Sequence, residues 1–128
     1  MKRELIYVEL KSGYNDNGPA WIGYKNSSKS GSTIYFNGLA FKSLKGSGIA
    51  GNYYECESGD EYWISGVKKK GGDRHWAGNG KINIDKKAIE YYLSVTGLKT
   101  LPKNLTPVEL KSSVPSIDFL ENENMPVA

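Results

Sequence analysis

The sequence predicts a mainly β domain, built as a small antiparallel barrel or strongly bent sheet of about five to seven strands with one helix. Three observations lead to this fold class. The 15 glycines and nine tyrosines favour short strands joined by tight turns. Two hairpin signals lie in the middle of the chain, and only residues 86–96 show helical spacing. A length of 128 residues suits a single domain.

The first two strands are predicted at residues 4–10 and 20–25. In the first strand Ile6, Val8 and Leu10 fall on one face, because side chains alternate between the two faces of a strand. Such alternation is typical of a strand with one buried face. Glycine, proline and asparagine residues after each strand predict loops.

Two hairpins follow these strands. Asn37 and Gly38 stand between apolar and aromatic runs, and this pair favours a type I′ turn because both residues tolerate a positive φ. The second hairpin joins residues 52–57 to residues 61–67 and allows cross-strand aromatic pairs. Glu55 in this hairpin is a conceivable ligand for a hard cation, although a solvated acidic face is the commoner arrangement.

The helix is predicted at residues 86–96. Asp85 stands at the N-cap, where its carboxylate can accept from backbone N–H groups, and Gly97 fits the C′ position. Lys86 and Lys87 occupy the first turn, where cations are mildly unfavourable. These two charges are therefore expected to serve something other than the helix. Packed across one opening of the sheet, the helix would complete an SH3-like or similar small barrel.

The domain is predicted at residues 1–97, and residues 98–128 form a proline-containing tail that is extended or disordered. Four of the five prolines lie in this tail. The tail also repeats part of the first strand, because residues 8–12 and 108–112 both read Val-Glu-Leu-Lys-Ser. Coincidence is the simplest explanation for five residues. The sharper hypothesis is that the tail adds to a sheet edge, in the same chain or in a homodimer.

The composition excludes several classes of protein. The single cysteine, Cys56, excludes an internal disulfide and is typical of a reducing compartment. No apolar run approaches the roughly 20 residues of a transmembrane helix, and charges interrupt the N-terminal apolar stretch too early for a signal peptide. We therefore expect a cytoplasmic protein with no membrane partner.

Positive charge is concentrated between the second hairpin and the helix. Residues 66–87 hold seven Lys and Arg against two Asp, a net of +5, although the whole chain has a net charge of only +3. Arg74 offers a planar fork suited to phosphate, and Trp76 offers a face on which a base can stack. The predicted ligand-binding residues are Lys29, Lys68, Lys69, Arg74, His75, Trp76 and Lys81. They predict a non-catalytic binding module for an anionic ligand, RNA or single-stranded DNA, centred on residues 68–81.

Two alternatives stay open. His75, the only histidine, would act as the acid or base in phosphodiester cleavage, with Arg74 and Lys69 holding the phosphate. The other alternative is a protein-interaction module that uses the surplus aromatic residues or the tail. One histidine and Cys56 do not make a zinc site, so no metal is expected. Residues 46–51 match G-x-G-x-x-G, but a predicted strand follows instead of a helix, so no cofactor is expected either.

Four short segments carry a resemblance to a known family. They read Gly-Pro-Ala-Trp-Ile-Gly at 18–23, Ile-Tyr-Phe-Asn-Gly at 34–38, Tyr-Trp-Ile-Ser-Gly at 62–66 and Asp-Arg-His-Trp-Ala-Gly at 73–78. Over about residues 4–97 the chain resembles a family of small stand-alone, uncharacterised bacterial proteins, and the resemblance implies no functional residues. Members sometimes carry the label 1-deoxyxylulose-5-phosphate synthase, a thiamine-diphosphate enzyme. This chain lacks the Gly-Asp-Gly start of that cofactor's site, so its residues do not support the label.

Overall fold

The computed structural model of the chain describes residues 4–13, 18–44, 51–67 and 81–111, and their strands form one sheet. The strands are β1 (Leu5–Leu10), β2 (Ala20–Tyr24), β3 (Asn26–Ser27), β4 (Thr33–Phe36), β5 (Leu39–Ser43), β6 (Tyr53–Glu55), β7 (Glu61–Gly66), β8 (Ile82–Asp85) and β9 (Leu105–Val108). Their order across the sheet is β3-β4-β5-β6-β7-β1-β2-β8-β9. A 3₁₀ turn at Lys86–Ala88 leads into helix α1, Ile89–Thr96.

The predicted mainly β class with one helix is confirmed, and the sheet is a curled half-barrel. The described strands number nine, so the prediction of five to seven was too low. Six of their eight pairings are antiparallel, whereas β8 runs parallel to both of its neighbours. The parallel pairing of β8 differs from the predicted antiparallel sheet. Alternation along a strand reports which faces are buried and carries no information about the direction of the neighbouring strands.

The curl of the sheet follows from the connection between β2 and β3. Only Lys25 separates these strands, although β2 pairs with β1 and β3 pairs with β4, far away in the sheet order. The sheet must therefore bend until β4 faces β2. In agreement, Cε1 of Phe36 on β4 lies 3.0 Å from the position that a Cβ on Gly23 of β2 would occupy.

Strand β1 is buried on both faces, whereas its alternation had predicted one buried face. The inner cluster, inside the curl, contains Ile6, Val8, Ile34, Phe36, Phe41, Tyr62 and Ile64. The outer cluster, on the opposite face, contains Leu5, Tyr7, Ala20, Ile22, Ile82, Ile84, Ala88, Tyr92 and Leu105. Because Ala88 and Tyr92 bring the helical segment into the outer cluster, the helix covers the outside of the sheet. The expected position across an opening was wrong.

The local signals for the helix are confirmed. The N–H of Lys87 donates to Oδ1 of Asp85 over 3.2 Å, as expected for an N-cap. The helix ends at Gly97, whose φ of 74° lies in the left-handed region and whose N–H donates to the carbonyl of Leu93. The start is a 3₁₀ turn, so the α-helix proper covers the last eight residues of the predicted span.

Both predicted hairpins are present. Asn37 and Gly38 have φ values of 50° and 75°, which fit the type I′ turn. In the second hairpin Tyr53 stands opposite Tyr62. The buried carboxylate of Glu55 accepts from two backbone N–H groups of the connecting loop, at 3.1 and 2.9 Å. Its oxygens therefore stabilise the loop, and the described residues contain no group of three or more His, Cys, Asp and Glu arranged to hold a metal ion.

The segment assigned to the tail contributes to the sheet. Strand β9 pairs with the edge of β8, so part of the tail adds to a sheet edge in the same chain. Beyond this strand Leu110 packs against the inner cluster. The domain boundary at residue 97 stays a prediction, and so does a homodimer through the tail.

Candidate functional site

A cleft of about 290 Å³ lies between the turn that joins β4 to β5 and the start of the helical segment. We call it the lysine cleft. Its lining residues are Tyr24, Lys25, Asn26, Tyr35, Phe36, Asn37, Gly38, Asp85, Lys87, Leu110 and Lys111. Three of these residues carry a positive charge and one carries a negative charge, so the lining has a net charge of +2.

Lys25 enters the cleft from the bend between β2 and β3. Its backbone N–H donates to the carbonyl of Glu4 over 2.9 Å, which holds the chain beside the start of β1. Its Nζ lies 3.2 Å from Oε1 of Glu4, whose side chain is 61% exposed. An ion pair with so exposed a carboxylate is weak, because water screens it. The charge of Lys25 therefore remains effective in the cleft.

Lys87 enters from the junction of β8 and the helical segment. Its backbone is held by the Asp85 cap, and its side chain is exposed. Within the described part of the chain, its ammonium group forms no ion pair. Lys86 is also exposed but does not line the cleft, so it serves as a neighbouring lysine with the same charge outside the site.

Lys111 closes one side of the cleft. It belongs to residues 109–111, a segment that we call the strap because it runs from β9 to the turn between β4 and β5. The N–H of Lys111 donates to Oδ1 of Asn37 over 3.0 Å, and its Cδ lies 3.0 Å from the position of a Cβ on Gly38. The positive φ of Gly38 favours glycine at this position, and the lysine stem packs closely over it. Among the described residues the ammonium of Lys111 forms no ion pair.

Three aromatic side chains and Leu110 supply the apolar part of the lining. Tyr24, Tyr35 and Phe36 contribute to the cleft, and the ring of Tyr24 also lies 6.1 Å from the ring of Tyr91 at a tilt of 36°. Tyr91 is 43% exposed. A ring of this kind can stack on a base or a sugar.

The described lining contains no histidine, cysteine or serine. Its groups that could exchange protons or act as nucleophiles are lysine ammonium groups, tyrosine hydroxyls and the carboxylate of Asp85. Ammonium groups, amides and aromatic faces are also groups that hold an anionic ligand with a flat or apolar part.

A second groove, of about 650 Å³, lies at β4, β5 and β6. It is lined by Gly31, Ser32, Lys42, Ser43, Leu44, Tyr53 and Tyr54. Only one of these residues is charged, so the groove lacks the convergence of cations that distinguishes the lysine cleft.

Two of the predicted ligand-binding residues lie in the described part of the chain. Lys29 is exposed in the turn between β3 and β4, and Lys81 is exposed just before β8. Because β8 runs parallel to β2, Lys81 lies near the start of β2. Lys29 lies beyond β3, which follows the end of β2. The structure does not bring them together, and neither lines the cleft. The other five, Lys68, Lys69, Arg74, His75 and Trp76, lie outside the described residues and stay predictions.

The sequence pointed to one of the three cleft lysines. Lys87 was expected to serve something other than the helix, because a cation in the first turn is unfavourable there. Lys25 and Lys111 had no such signal, since an isolated lysine beside a strand is commonly solvated. The cleft joins residues 24–26 to residues 110–111, and no local pattern reports so distant a contact.

Comparison with protein-family models, curated proteins and solved structures finds no match to this chain. The resemblance to the small bacterial family stays a prediction. In the part of the chain that the structure describes, the helix is too short to span a bilayer.

Proposed function

We propose that this protein is a non-catalytic binding module for an anionic ligand, RNA or single-stranded DNA, and that the lysine cleft receives this ligand. One observation carries the proposal. Lys25, Lys87 and Lys111 come from three separate elements and line one cleft, and the last two have no carboxylate partner among the described residues. Three lysines that line one cleft make its electrostatic potential positive, and a positive cleft attracts an anion.

The rest of the lining suits a nucleotide. The half-buried ring of Tyr24 offers a face for stacking, and the side chain of Asn26 offers both a donor and an acceptor for hydrogen bonds. A volume of about 290 Å³ is near the lower end of the range for small-molecule pockets, roughly 300 Å³. The cleft therefore has room for about one nucleotide.

Other parts of the proposal rest on the sequence alone. The basic segment at residues 68–81 would add phosphate contacts outside the cleft. A cytoplasmic location, where RNA and single-stranded DNA are present, belongs to the same proposal. Phosphodiester cleavage through His75 and protein binding through aromatic residues or the tail stay predictions.

Neighbouring lysines provide the matched test. Binding of a fluorescent mixed-sequence RNA and of single-stranded DNA is measured by anisotropy at about 50 and about 200 mM salt. We expect Lys87→Glu to weaken binding about tenfold and to reduce the salt slope by about 1, because one phosphate contact is lost. Lys86→Glu makes the same change in net charge beside the cleft, and we expect it to weaken binding less than about threefold.

A second matched pair repeats the test on the strap. Lys111→Glu should weaken binding as Lys87→Glu does, whereas Lys103→Glu, at an exposed site outside the cleft, should have little effect. Equal effects within both pairs would contradict binding in the cleft and indicate diffuse attraction to the whole surface. Absence of binding to either nucleic acid at low salt would remove the proposal.

A further inference from the structure

We infer that the lysine cleft selects a phosphomonoester carried by a nucleoside: a free nucleotide or the phosphorylated end of a strand, rather than the phosphodiester linkages within a strand. This inference rests on the proposed function and names the ligand group that the same cleft would recognise. Three features carry it: the charge of the lining, its size and the position of its one carboxylate.

The charge of the lining matches a dianion. Lys25, Lys87 and Lys111 against Asp85 leave a net charge of +2. A phosphomonoester carries about −1.5 to −2 at pH 7, because its second pKa is near 6. Each internal linkage of a nucleic acid carries a single negative charge. A terminal phosphate therefore neutralises the cleft, whereas one internal linkage leaves it positive.

The size of the cleft favours an end over the middle of a strand. Its volume of about 290 Å³ has room for about one nucleotide, and the strap closes one side through Leu110 and Lys111. An internal nucleotide would need space for the chain on both of its sides. A terminal nucleotide or a free nucleotide needs space on one side at most.

Asp85 indicates that the ligand also brings hydrogen-bond donors. Its side chain lies in the lining although the residue is only 8% exposed, and its Oδ1 already accepts from the Lys87 N–H. An ionised carboxylate only accepts hydrogen bonds, and it repels a bare phosphate. Ribose hydroxyls and base amino groups are donors that it can accept. The cleft should therefore prefer a nucleoside phosphate to inorganic phosphate.

Calorimetric titration of the full chain tests the inference with five probes. They are inorganic phosphate, a nucleoside 5′-monophosphate, and one oligoribonucleotide carrying a 5′-phosphate, a 3′-phosphate or no terminal phosphate. We expect at least one phosphorylated oligonucleotide to bind about tenfold more tightly than the unphosphorylated one, and the monophosphate to bind more tightly than inorganic phosphate. The preference should fall below about pH 6, where the phosphomonoester takes up a proton.

The same titration distinguishes the two possible carriers of the phosphomonoester, a free nucleotide and the phosphorylated end of a strand. Equal affinity for the monophosphate and the better phosphorylated oligonucleotide would identify a free nucleotide as sufficient. Tighter binding of the oligonucleotide would identify the end of a strand. Both results support selection of a nucleoside phosphomonoester.

Two variants examine the roles of the charges. Lys87→Glu should abolish the preference for the phosphorylated end, whereas Lys86→Glu should retain it. Asp85→Asn keeps the N-cap, since asparagine caps helices as well as aspartate does. Because it removes the only carboxylate among the described lining residues, it should tighten binding of inorganic phosphate about tenfold and narrow the difference in affinity from the monophosphate.

The failures of the two proposals can be distinguished. If all three oligonucleotides bind equally and Lys87→Glu weakens them all, the cleft binds nucleic acid but the inference is wrong. If inorganic phosphate binds as tightly as the monophosphate, recognition of the nucleoside is wrong. If no probe binds, both the inference and the proposed function fall.

Discussion

The two copies of Val-Glu-Leu-Lys-Ser have the same residues and different environments. In the first copy Nζ of Lys11 lies 2.9 Å from Oε2 of Glu9, and the two side chains are 11% and 4% exposed. The hydroxyl of Tyr7 also donates to Oε1 of Glu9 over 2.5 Å. In the second copy Glu109 is exposed and Lys111 lines the cleft. The final serine of the second copy lies outside the described residues.

The leucines of the two copies behave alike. Leu10 and Leu110 are both half-buried and both pack against the inner cluster. An apolar side chain needs only an apolar neighbour, and the curled sheet offers one at both places. A buried charge needs a partner at hydrogen-bond distance, and the buried Glu9 has one in Lys11, whereas the exposed Glu109 and Lys111 can be solvated by water. The comparison shows that the position in the fold decides whether a lysine pairs with a buried carboxylate or lines an open cleft.

The largest predicted difference between the copies concerns their glutamates. Glu9→Gln keeps the shape of the side chain but removes the charge that compensates Lys11. We expect it to lower the free energy of unfolding by about 3 kcal/mol, at the low end for breaking a buried pair because Lys11 keeps some exposure. Glu109→Gln, the matched control, should change it by less than about 0.5 kcal/mol. Urea unfolding measures both values.

If Glu9→Gln and Glu109→Gln lower the free energy of unfolding equally, the assignment of Glu9 as a structural charge is contradicted. The assignment would be strengthened if Glu9→Gln lowers the free energy of unfolding while the protein that remains folded binds the ligand as the wild type does. The latter result would separate stability from the role of the lysine cleft.

The second largest predicted effect concerns Leu110, the leucine of the second copy. A Cβ on Gly23 would lie 2.9 Å from Cδ1 of Leu110 and 3.0 Å from Cε1 of Phe36. We expect Gly23→Ala to cost about 1–3 kcal/mol through overpacking. In a Leu110→Ala background the same change should cost about 1 kcal/mol less, because one of the two clashes is gone.

Strict additivity in this double-mutant cycle would contradict the docking of the strap on β2. If the cost of Gly23→Ala is smaller in the Leu110→Ala background, Leu110→Ala alone should also weaken anion binding, since the strap carries Lys111 into the cleft. Leu10→Ala is the matched control for binding. It removes the corresponding leucine from the inner cluster and leaves the strap in place.

The smallest effect concerns Tyr62, which stands opposite Leu10 of the first copy. Burial raises the pKa of Tyr62 above its usual value of 10.0, and the charges of Glu55 and Asp60 raise it further. The folded protein therefore holds this proton more tightly than the unfolded chain does. The resulting stability is complete below about pH 10 and is lost as the pH rises through the folded pKa.

Unfolding in urea from pH 9 to pH 11 should therefore show a fall in stability that is shallower in Tyr62→Phe. A parallel absorbance titration at alkaline pH should show one phenol fewer among those that ionise last. An identical pH dependence in the wild type and the variant would contradict the shift.

Much of the local structure was predictable. Asn37 and Gly38 specify a turn through their tolerance of positive φ, while Asp85 and Gly97 mark the ends of the helical segment through hydrogen bonds to near neighbours. A bent sheet and a tail strand on a sheet edge were expected, but the strand pairings that produce them were not predictable. They join strands far apart in sequence, such as β1 with β7 and β2 with β8.

The sequence by itself therefore determined the fold class, the hairpin turn and the bounds of the helical segment, because these follow from backbone preferences and side-chain bonds over a few residues. Only the tertiary structure decided that the helix covers the outer face and that Lys25, Lys87 and Lys111 share one cleft. Charge interactions depend on distance in space, and distance in space is set by strand pairing. For that reason the same Lys in two identical pentapeptides pairs with a glutamate in one copy and lines the cleft in the other.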